Sequence, residues 1–161
     1  VGLIVYAVVL GLLATLLADA WSALLKCLGI TGINYAMLGR WLGHMCRAKF
    51  VHVSIAEASP VAHELVLGWV LHYLTGIAFA GLFLIWCGPS WLTQDLLLPA
   101  FSLGLLTVVL PFFVMQPAMG SGWAAARTAT PWRNRLRSLS YHAAFGGGLY
   151  LSGRLLQFVL R

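Results

Sequence analysis

Charged residues are scarce in this chain. Asp, Glu, Lys and Arg make up 9% of its 161 residues and apolar residues 61%, whereas about 25% are charged in an ordinary soluble domain. A soluble domain of this size cannot bury that much apolar surface in one core, because about a third of the surface of its unfolded chain stays exposed to water. The composition therefore excludes a water-soluble globule and predicts an all-helical protein that spans a lipid bilayer.

The sequence also lacks the motifs of common enzymes. It contains no dinucleotide fingerprint, serine elbow or haem-attachment pair. His63 and Glu64 begin like a metalloprotease helix, but Leu67 stands where the second histidine of that motif belongs. No motif therefore requires a cofactor, no catalytic residue is assigned, and the sequence favours a role other than catalysis.

Cysteine is rare as well, with three residues in the chain. Cys27 and Cys46 fall near one end of the predicted spans and Cys87 near the other. An odd number divided between two faces argues against a structural disulfide. We expect free thiols.

Long apolar stretches are what the chain does have. A helix needs roughly 20 residues to cross a hydrocarbon core about 30 Å thick. Four stretches meet this length, and they predict spans over residues 2–25, 61–87, 96–119 and 132–160 of one membrane domain, residues 1–161, with a kink near Pro111. Residues 34–55, between the first two spans, show helical spacing of apolar side chains and predict a short amphipathic helix in the membrane interface.

The positions of the basic residues predict the orientation of the bundle. Eight of the ten lie in or beside two connections: Lys26, Arg40, Arg47 and Lys49 at the first, and Arg127, Arg133, Arg135 and Arg137 at the last, where the first turns of the fourth span lie in the headgroup region. Lys and Arg are enriched in cytoplasmic loops. We expect both connections in the cytoplasm and both termini on the outer side. The net charge of +6 then predicts contact with anionic lipid headgroups and argues against nucleic-acid binding.

Polar side chains inside the predicted spans are few and fall near one level. Counted at about 1.5 Å per residue, they lie roughly 6 to 18 Å from the cytoplasmic ends of their helices. They are Asp19, Glu64, His72, Gln116 and His142. Because ionisable groups in a membrane are costly and usually functional, these residues predict a buried polar pocket that opens toward the cytoplasm.

Small residues share helix faces with these polar groups. Residues four apart lie on one face, and small residues mark the faces where membrane helices approach each other. The predicted packing and lining residues are Thr15, Gly68, Gly76, Gly146 and Tyr150.

Three interpretations of the pocket remain open. The polar groups could hydrogen-bond one another and fix the helix register. Asp19, Glu64 and His72 could instead relay a proton or bind a small solute, which is our leading functional hypothesis. His72, His142 and Asp19 could also hold a metal or act as acid and base in a membrane enzyme.

Two further surfaces are candidates for contacts. Gly120, Gly122, Arg127 and Arg40 could bind an anion such as a lipid phosphate, although a flexible turn also explains the glycines. Gly76 and Gly81 offer a close-contact surface for a second copy or for a subunit of a larger membrane complex.

Five segments together carry a family resemblance. They are residues 11–19 (GLLATLLAD), 34–44 (NYAMLGRWLGH), 68–76 (GWVLHYLTG), 116–124 (QPAMGSGWA) and 142–150 (HAAFGGGLY). These segments resemble an uncharacterised family of short bacterial inner-membrane proteins, the domain of unknown function 2938. The resemblance implies a bacterial four-span protein and no particular reaction. Residues 128–131 depart from the family pattern, which places a second proline-containing pair there.

Overall fold

The computed structural model describes residues 2–160, and every regular element in that range is helical. The α-helices are α1 (Leu3–Cys27), α2 (Tyr35–Met45), α3 (Glu64–Cys87), α4 (Leu97–Leu106), the three-residue α5 (Gln116–Ala118) and α6 (Pro131–Val159). Short 3₁₀ turns cover Pro89–Leu92 and Trp123–Ala125, and a π-helical turn covers Pro111–Met115. The prediction of an all-helical chain is confirmed.

Local chemistry explains where several helices begin and bend. The Asn34 side chain accepts hydrogen bonds from the backbone N–H groups of Ala36 and Met37 and thereby caps α2. Pro111 has no N–H to donate to the preceding turn, and the π-helical turn begins at this proline, where the sequence predicts a kink.

Three helical segments are long and apolar enough to cross a membrane: Leu3–Cys27, Glu64–Cys87 and Leu97–Ala118. The prediction of four such spans is therefore met only in part. α6 has 29 residues and is long enough, but it is less apolar than the others. Its sequence carries four arginines, namely Arg133, Arg135, Arg137 and Arg154.

The described residues divide into two compact units. The first unit comprises the chain up to Gly32, Tyr73–Thr107 and the chain from Leu139 onward. The second comprises Ile33–His72 and Val108–Ser138. Both α3 and α6 therefore contribute residues to each unit.

Small residues bring the helices of the first unit into backbone contact. A Cβ added to Gly11 would lie 2.5 Å from the Ile77 Cα on α3. One added to Gly148 would lie 2.8 Å from the Ala14 carbonyl oxygen on α1. A buried apolar core, which includes Leu10, Phe83 and Leu149, surrounds these contacts.

Two adjacent glycines of α6 provide a matched test of this packing. A Cβ on Gly146 would meet the Ala100 carbonyl oxygen at 2.9 Å, whereas one on Gly147 has nothing within 4 Å. We expect Gly146→Ala to destabilise the protein by about 1–3 kcal/mol, as overpacking does, and Gly147→Ala to have little effect. Thermal unfolding in detergent measures the difference, and equal melting temperatures would contradict this packing.

In the second unit, α2 crosses the first turns of α3 with almost no side chain between the backbones. A Cβ on Gly39 would lie 1.7 Å from the Glu64 carbonyl oxygen, and one on Gly68 would lie 1.8 Å from the Tyr35 carbonyl oxygen. The connection after α2 also pairs with the end of α5: His52 N donates to the Ala118 carbonyl oxygen at 2.8 Å. The Val53 carbonyl oxygen lies against Gly120, just beyond α5, so the two basic connections contact each other in this unit.

Candidate functional site

Arg40 and Glu64 form a bidentate ion pair in the second unit. Arg40 Nε and one terminal nitrogen each lie 2.8 Å from a Glu64 carboxylate oxygen. The same carboxylate accepts the Val61 backbone N–H at 3.1 Å, just before the first turn of α3. Glu64, a predicted pocket residue, is thus joined to Arg40, a predicted headgroup contact.

Arg40 also holds the connection that follows α2. Its other terminal nitrogen donates to the carbonyl oxygens of Ile55, Ala56 and Ala58 at 3.0 to 3.3 Å. The side chain is only 9% exposed, and the hydrogen bond to Glu64 raises the pKa of Arg40 above its usual value. The guanidinium therefore stays charged and acts as a clamp between α2, α3 and the connection.

The polar side of α2 is its buried side. Gly39, Arg40 and His44 are its buried residues, whereas Trp41 and Leu42 on the apolar side stay partly exposed. His44 Nε2 lies 2.9 Å from the Ser59 carbonyl oxygen. Since a carbonyl can only accept, His44 donates from Nε2.

His72 lies in an aromatic group with residues of α2 and α3. Its Nε2 is 3.2 Å from the Tyr35 hydroxyl, and the Tyr35 ring lies 4.0 Å from that of Trp69 between centroids. Tyr35 and Trp69 were not singled out by the sequence. This hydrogen bond ties the start of α2 to the middle of α3.

Asp19 pairs with a tyrosine of a second helix in the first unit. The Tyr73 hydroxyl donates to Asp19 Oδ2 at 2.9 Å. Tyr73 follows His72 directly and points about 100° away around the helix. It therefore lies on a different face of α3 from Gly68, His72 and Gly76, which are spaced by four, and it was not singled out by the sequence. The pair places a carboxylate against a hydroxyl within two helices that are candidate membrane spans.

His142 pairs with Thr107, also in the first unit. The Thr107 hydroxyl donates to the Gly104 carbonyl oxygen at 2.6 Å and lies 2.7 Å from His142 Nδ1. A hydroxyl has one hydrogen, so His142 Nδ1 donates to Thr107 when Thr107 donates to Gly104.

Several buried polar atoms of the described residues have no hydrogen-bond partner in the protein. In the first unit these are Thr15 Oγ1, Tyr141 Oη and Ser152 Oγ. Thr15 Oγ1 occupies the space that a side chain on Gly76 would fill, 2.0 Å from the position of the missing Cβ. In the second unit they are Gln116 Oε1 and both ring nitrogens of His52.

Most of the remaining predicted lining and anion-binding residues pack against other parts of the protein. Tyr150 packs against the core of the first unit, and Gly146 meets α4. Gly120 is covered by the Val53 carbonyl oxygen, and Gly122 lies beside the aliphatic part of Arg127. The glycines are therefore enclosed by the protein, while the Arg127 side chain is exposed.

Among the described residues, no group of three ligands supports the metal hypothesis. Within residues 2–160, no cluster of three or more His, Cys, Asp or Glu side chains could hold a metal ion. The weak metal candidates His72, His142 and Asp19 each hydrogen-bond a hydroxyl group instead.

The five predicted pocket residues are divided between the units. Asp19 and His142 belong to the first unit, and Glu64, His72 and Gln116 to the second. A single pocket lined by all five therefore stays a prediction.

His52 makes the stability of the second unit depend on pH. Its side chain is 6% exposed, and burial, followed by the nearby His44 and Lys49, lowers the pKa of His52, while the Ala118 backbone opposes the shift. The folded state then binds fewer protons than the unfolded state near the usual His pKa of about 6.5. The free energy of unfolding is highest above this pH and decreases as the pH falls through it. Unfolding curves from neutral to acidic pH measure this loss.

Two substitutions isolate the contribution of His52. His52→Gln cannot titrate and should flatten the pH dependence, while His63→Gln, which replaces an exposed histidine of the same connection, is the control. An unchanged pH profile in His52→Gln would show that another group is responsible.

Comparisons with known proteins place the chain in a family. No curated protein and no solved structure matches it. Residues 8–156 match the family model described as "Protein of unknown function (DUF2938)". This match spans most of the chain and includes all five segments quoted above. The chain therefore belongs to the DUF2938 family, as its motifs predict.

Proposed function

We propose that this protein is a bacterial inner-membrane protein that binds and transfers protons, or a small solute that exchanges protons, through polar groups between its helices. One observation supports the proposal above the others. Two titratable side chains of the first unit, Asp19 and His142, each hydrogen-bond a hydroxyl on a different helix.

These pairs have the chemistry that proton transfer needs. Carboxylates and imidazoles in membrane spans are costly to insert and commonly mark ion or proton pathways. A hydroxyl both donates and accepts, so Tyr73 and Thr107 can keep a hydrogen bond to either protonation state of their partners. Asp19 lies about 12 Å along α1 from Cys27, and His142 about 16 Å along α6 from Pro131, so both are well inside their helices.

Contacts in the first unit support α6 as a fourth crossing. A Cβ on Gly153 would meet the Leu96 side chain, and Gln157 Nε2 donates to the carbonyl oxygens of Trp91 and Gln94. The last two residues belong to the connection between α3 and α4. The C-terminal end of α6 therefore reaches the same connection as the outer ends of α3 and α4 in the proposed topology.

Contacts in the second unit support a common side for the two basic connections. Ile55 N donates to the Met119 carbonyl oxygen at 3.1 Å, beside the His52–Ala118 hydrogen bond. By the positive-inside rule this side is the cytoplasm, which leaves both termini outside if α6 crosses the bilayer.

Proton flux into vesicles tests the proposal. The purified protein is reconstituted at low density with a pH-sensitive dye inside, and a pH step is applied across the membrane with a potassium diffusion potential to balance charge. We expect acidification faster than in protein-free vesicles. Rates equal to those of protein-free vesicles for protons, and no proton-coupled uptake of any solute tested, would reject the proposal.

A structural role is the second candidate, because the same hydrogen bonds join pairs of helices. Interhelical hydrogen bonds in membranes contribute about 0.6 kcal/mol on average. A purely structural protein would lose stability on Tyr73→Phe and show no flux in the wild type. The two candidates therefore differ in the wild-type vesicles alone.

A further inference from the structure

A short segment after α2, Arg47–Val53, exposes apolar and basic side chains side by side. Phe50, Val51 and Val53 are 58%, 68% and 93% exposed, while His52 between them points into the protein. Arg47 and Lys49 are exposed as well. Apolar side chains presented at this level of exposure beside cations are typical of a surface that enters a lipid headgroup region.

Hydrogen bonds fix this segment at the ends of two candidate spans. His52 N donates to the carbonyl oxygen of Ala118, the last residue of the span Leu97–Ala118. Just beyond the segment, Arg40 binds carbonyl oxygens of residues 55–58 and the carboxylate of Glu64, where the span Glu64–Cys87 begins. Trp41 Nε1 also donates to the Phe50 carbonyl oxygen at 2.9 Å. The segment is therefore held where apolar helices leave the hydrocarbon core.

The positive charge of the segment favours binding to anionic lipid. Arg47–Val53 contains two basic residues and no acidic residue, and the next carboxylate along the chain is Glu57. Arg40, which the sequence placed among the headgroup contacts, is buried against Glu64. Arg47 and Lys49 keep their charges on the surface, and the cytoplasmic leaflet carries anionic lipid.

We propose that Arg47–Val53 is an anchor that inserts Phe50, Val51 and Val53 into the bilayer interface and binds the phosphates of anionic lipids through Arg47 and Lys49. The anchor is independent of proton transfer. It fixes the connection that Arg40 and His52 hold against α3 and α5.

Fluorescence quenching by brominated lipids tests the anchor. Cys27→Ser, Cys46→Ser and Cys87→Ala give a background without cysteine, and Val53→Cys carries the fluorophore. Ala56→Cys, an exposed position on the same connection whose backbone is held by Arg40, is the matched control. Each labelled protein is reconstituted in vesicles that contain brominated phosphatidylcholine or brominated phosphatidylglycerol at equal fractions.

The proposal expects stronger quenching at position 53 than at position 56 with both lipids. It also expects brominated phosphatidylglycerol to associate with position 53 more tightly than brominated phosphatidylcholine, by roughly fivefold for each basic residue, since one such residue near an anionic surface contributes about 1 kcal/mol. Arg47→Gln with Lys49→Gln should bring this ratio to about one.

Three results would contradict the proposal. Quenching at position 53 that does not exceed quenching at position 56 would show that the segment does not enter the bilayer. Energy transfer between labels at position 53 that persists on dilution with lipid would show that a second copy of the chain covers the segment instead. Quenching without a preference for phosphatidylglycerol would reject the role of Arg47 and Lys49.

Discussion

Arg40→Met lowers the melting temperature of this protein further than Arg40→Met combined with Glu64→Gln. The single change removes the guanidinium from a buried position and leaves the Glu64 carboxylate without its cation. Removing one member of a largely buried ion pair is more destabilising than replacing both, because the remaining charge loses its partner while most of its surface stays away from water. Glutamine at position 64 keeps an oxygen to accept the Val61 N–H.

The effect of Arg40→Met is large because one side chain satisfies several groups at once. Three carbonyl oxygens of residues 55–58 lose their donor together with Glu64. Arg47→Met, which replaces an exposed arginine just after α2, is the control and should change the melting temperature little. Thermal unfolding in detergent compares the three variants with the wild type. Arg40→Met that melts like Arg47→Met would contradict the clamp.

Asp19→Asn abolishes the proton flux that we propose. Asparagine has nearly the shape of aspartate and can still accept the Tyr73 hydrogen bond, but it cannot take up or release a proton. His142→Gln removes the second titratable group, and we expect its flux to fall at least about tenfold, since a lost proton-transfer group typically costs 10²–10⁴-fold in rate. Stopped-flow dye measurements in vesicles give the rates.

Partner substitutions separate proton transfer from folding. Tyr73→Phe and Thr107→Val remove the hydroxyls and keep the titratable groups, so flux should decrease and its pH dependence should shift. Gly147→Ala, at a position with open space, should leave the flux unchanged. Asp19→Asn with the flux of the wild type, at equal protein incorporation, would exclude a pathway through Asp19.

Apolar length and helix-terminal signals were sufficient to predict most of the helices. The spans 2–25 and 61–87 correspond closely to α1 and α3, and Pro111 coincides with the π-helical turn. The fourth span was predicted from length, and α6 has that length but carries arginines that reduce its apolarity. Length and apolarity disagree there because α6 carries polar side chains, one of which, Gln157, is buried and donates to the Trp91 carbonyl oxygen.

The burial of Arg40 could not be predicted from the periodicity of α2. An apolar stripe faces the interior in a soluble protein, but beside a bilayer the apolar side can face lipid and the polar side can face the protein. Arg40 lies inward because Glu64, 24 residues further along the chain, supplies its counter-charge. A pairing of that kind depends on tertiary structure, which one sequence does not show.

The titratable residues of the candidate site were named from the sequence, but the residues that hydrogen-bond them were not. Small residues of the predicted rows make close contacts: Gly76 meets Thr15, and Gly146 meets Gly104. Tyr73 lies outside these rows. Threonine is also common in membrane helices without any polar contact, so nothing distinguished Thr107 beforehand.

Infrared difference spectroscopy tests the central claim, that Asp19 takes up and releases a proton inside the protein, most directly. Spectra of the reconstituted protein are recorded as the pH is stepped between about 4 and 9. We predict a protonated-carboxyl band that appears as the pH falls, disappears in Asp19→Asn and shifts in frequency in Tyr73→Phe, because the phenol hydrogen bond is lost. A carboxyl spectrum that is the same in the wild type and Asp19→Asn at every pH would contradict the account.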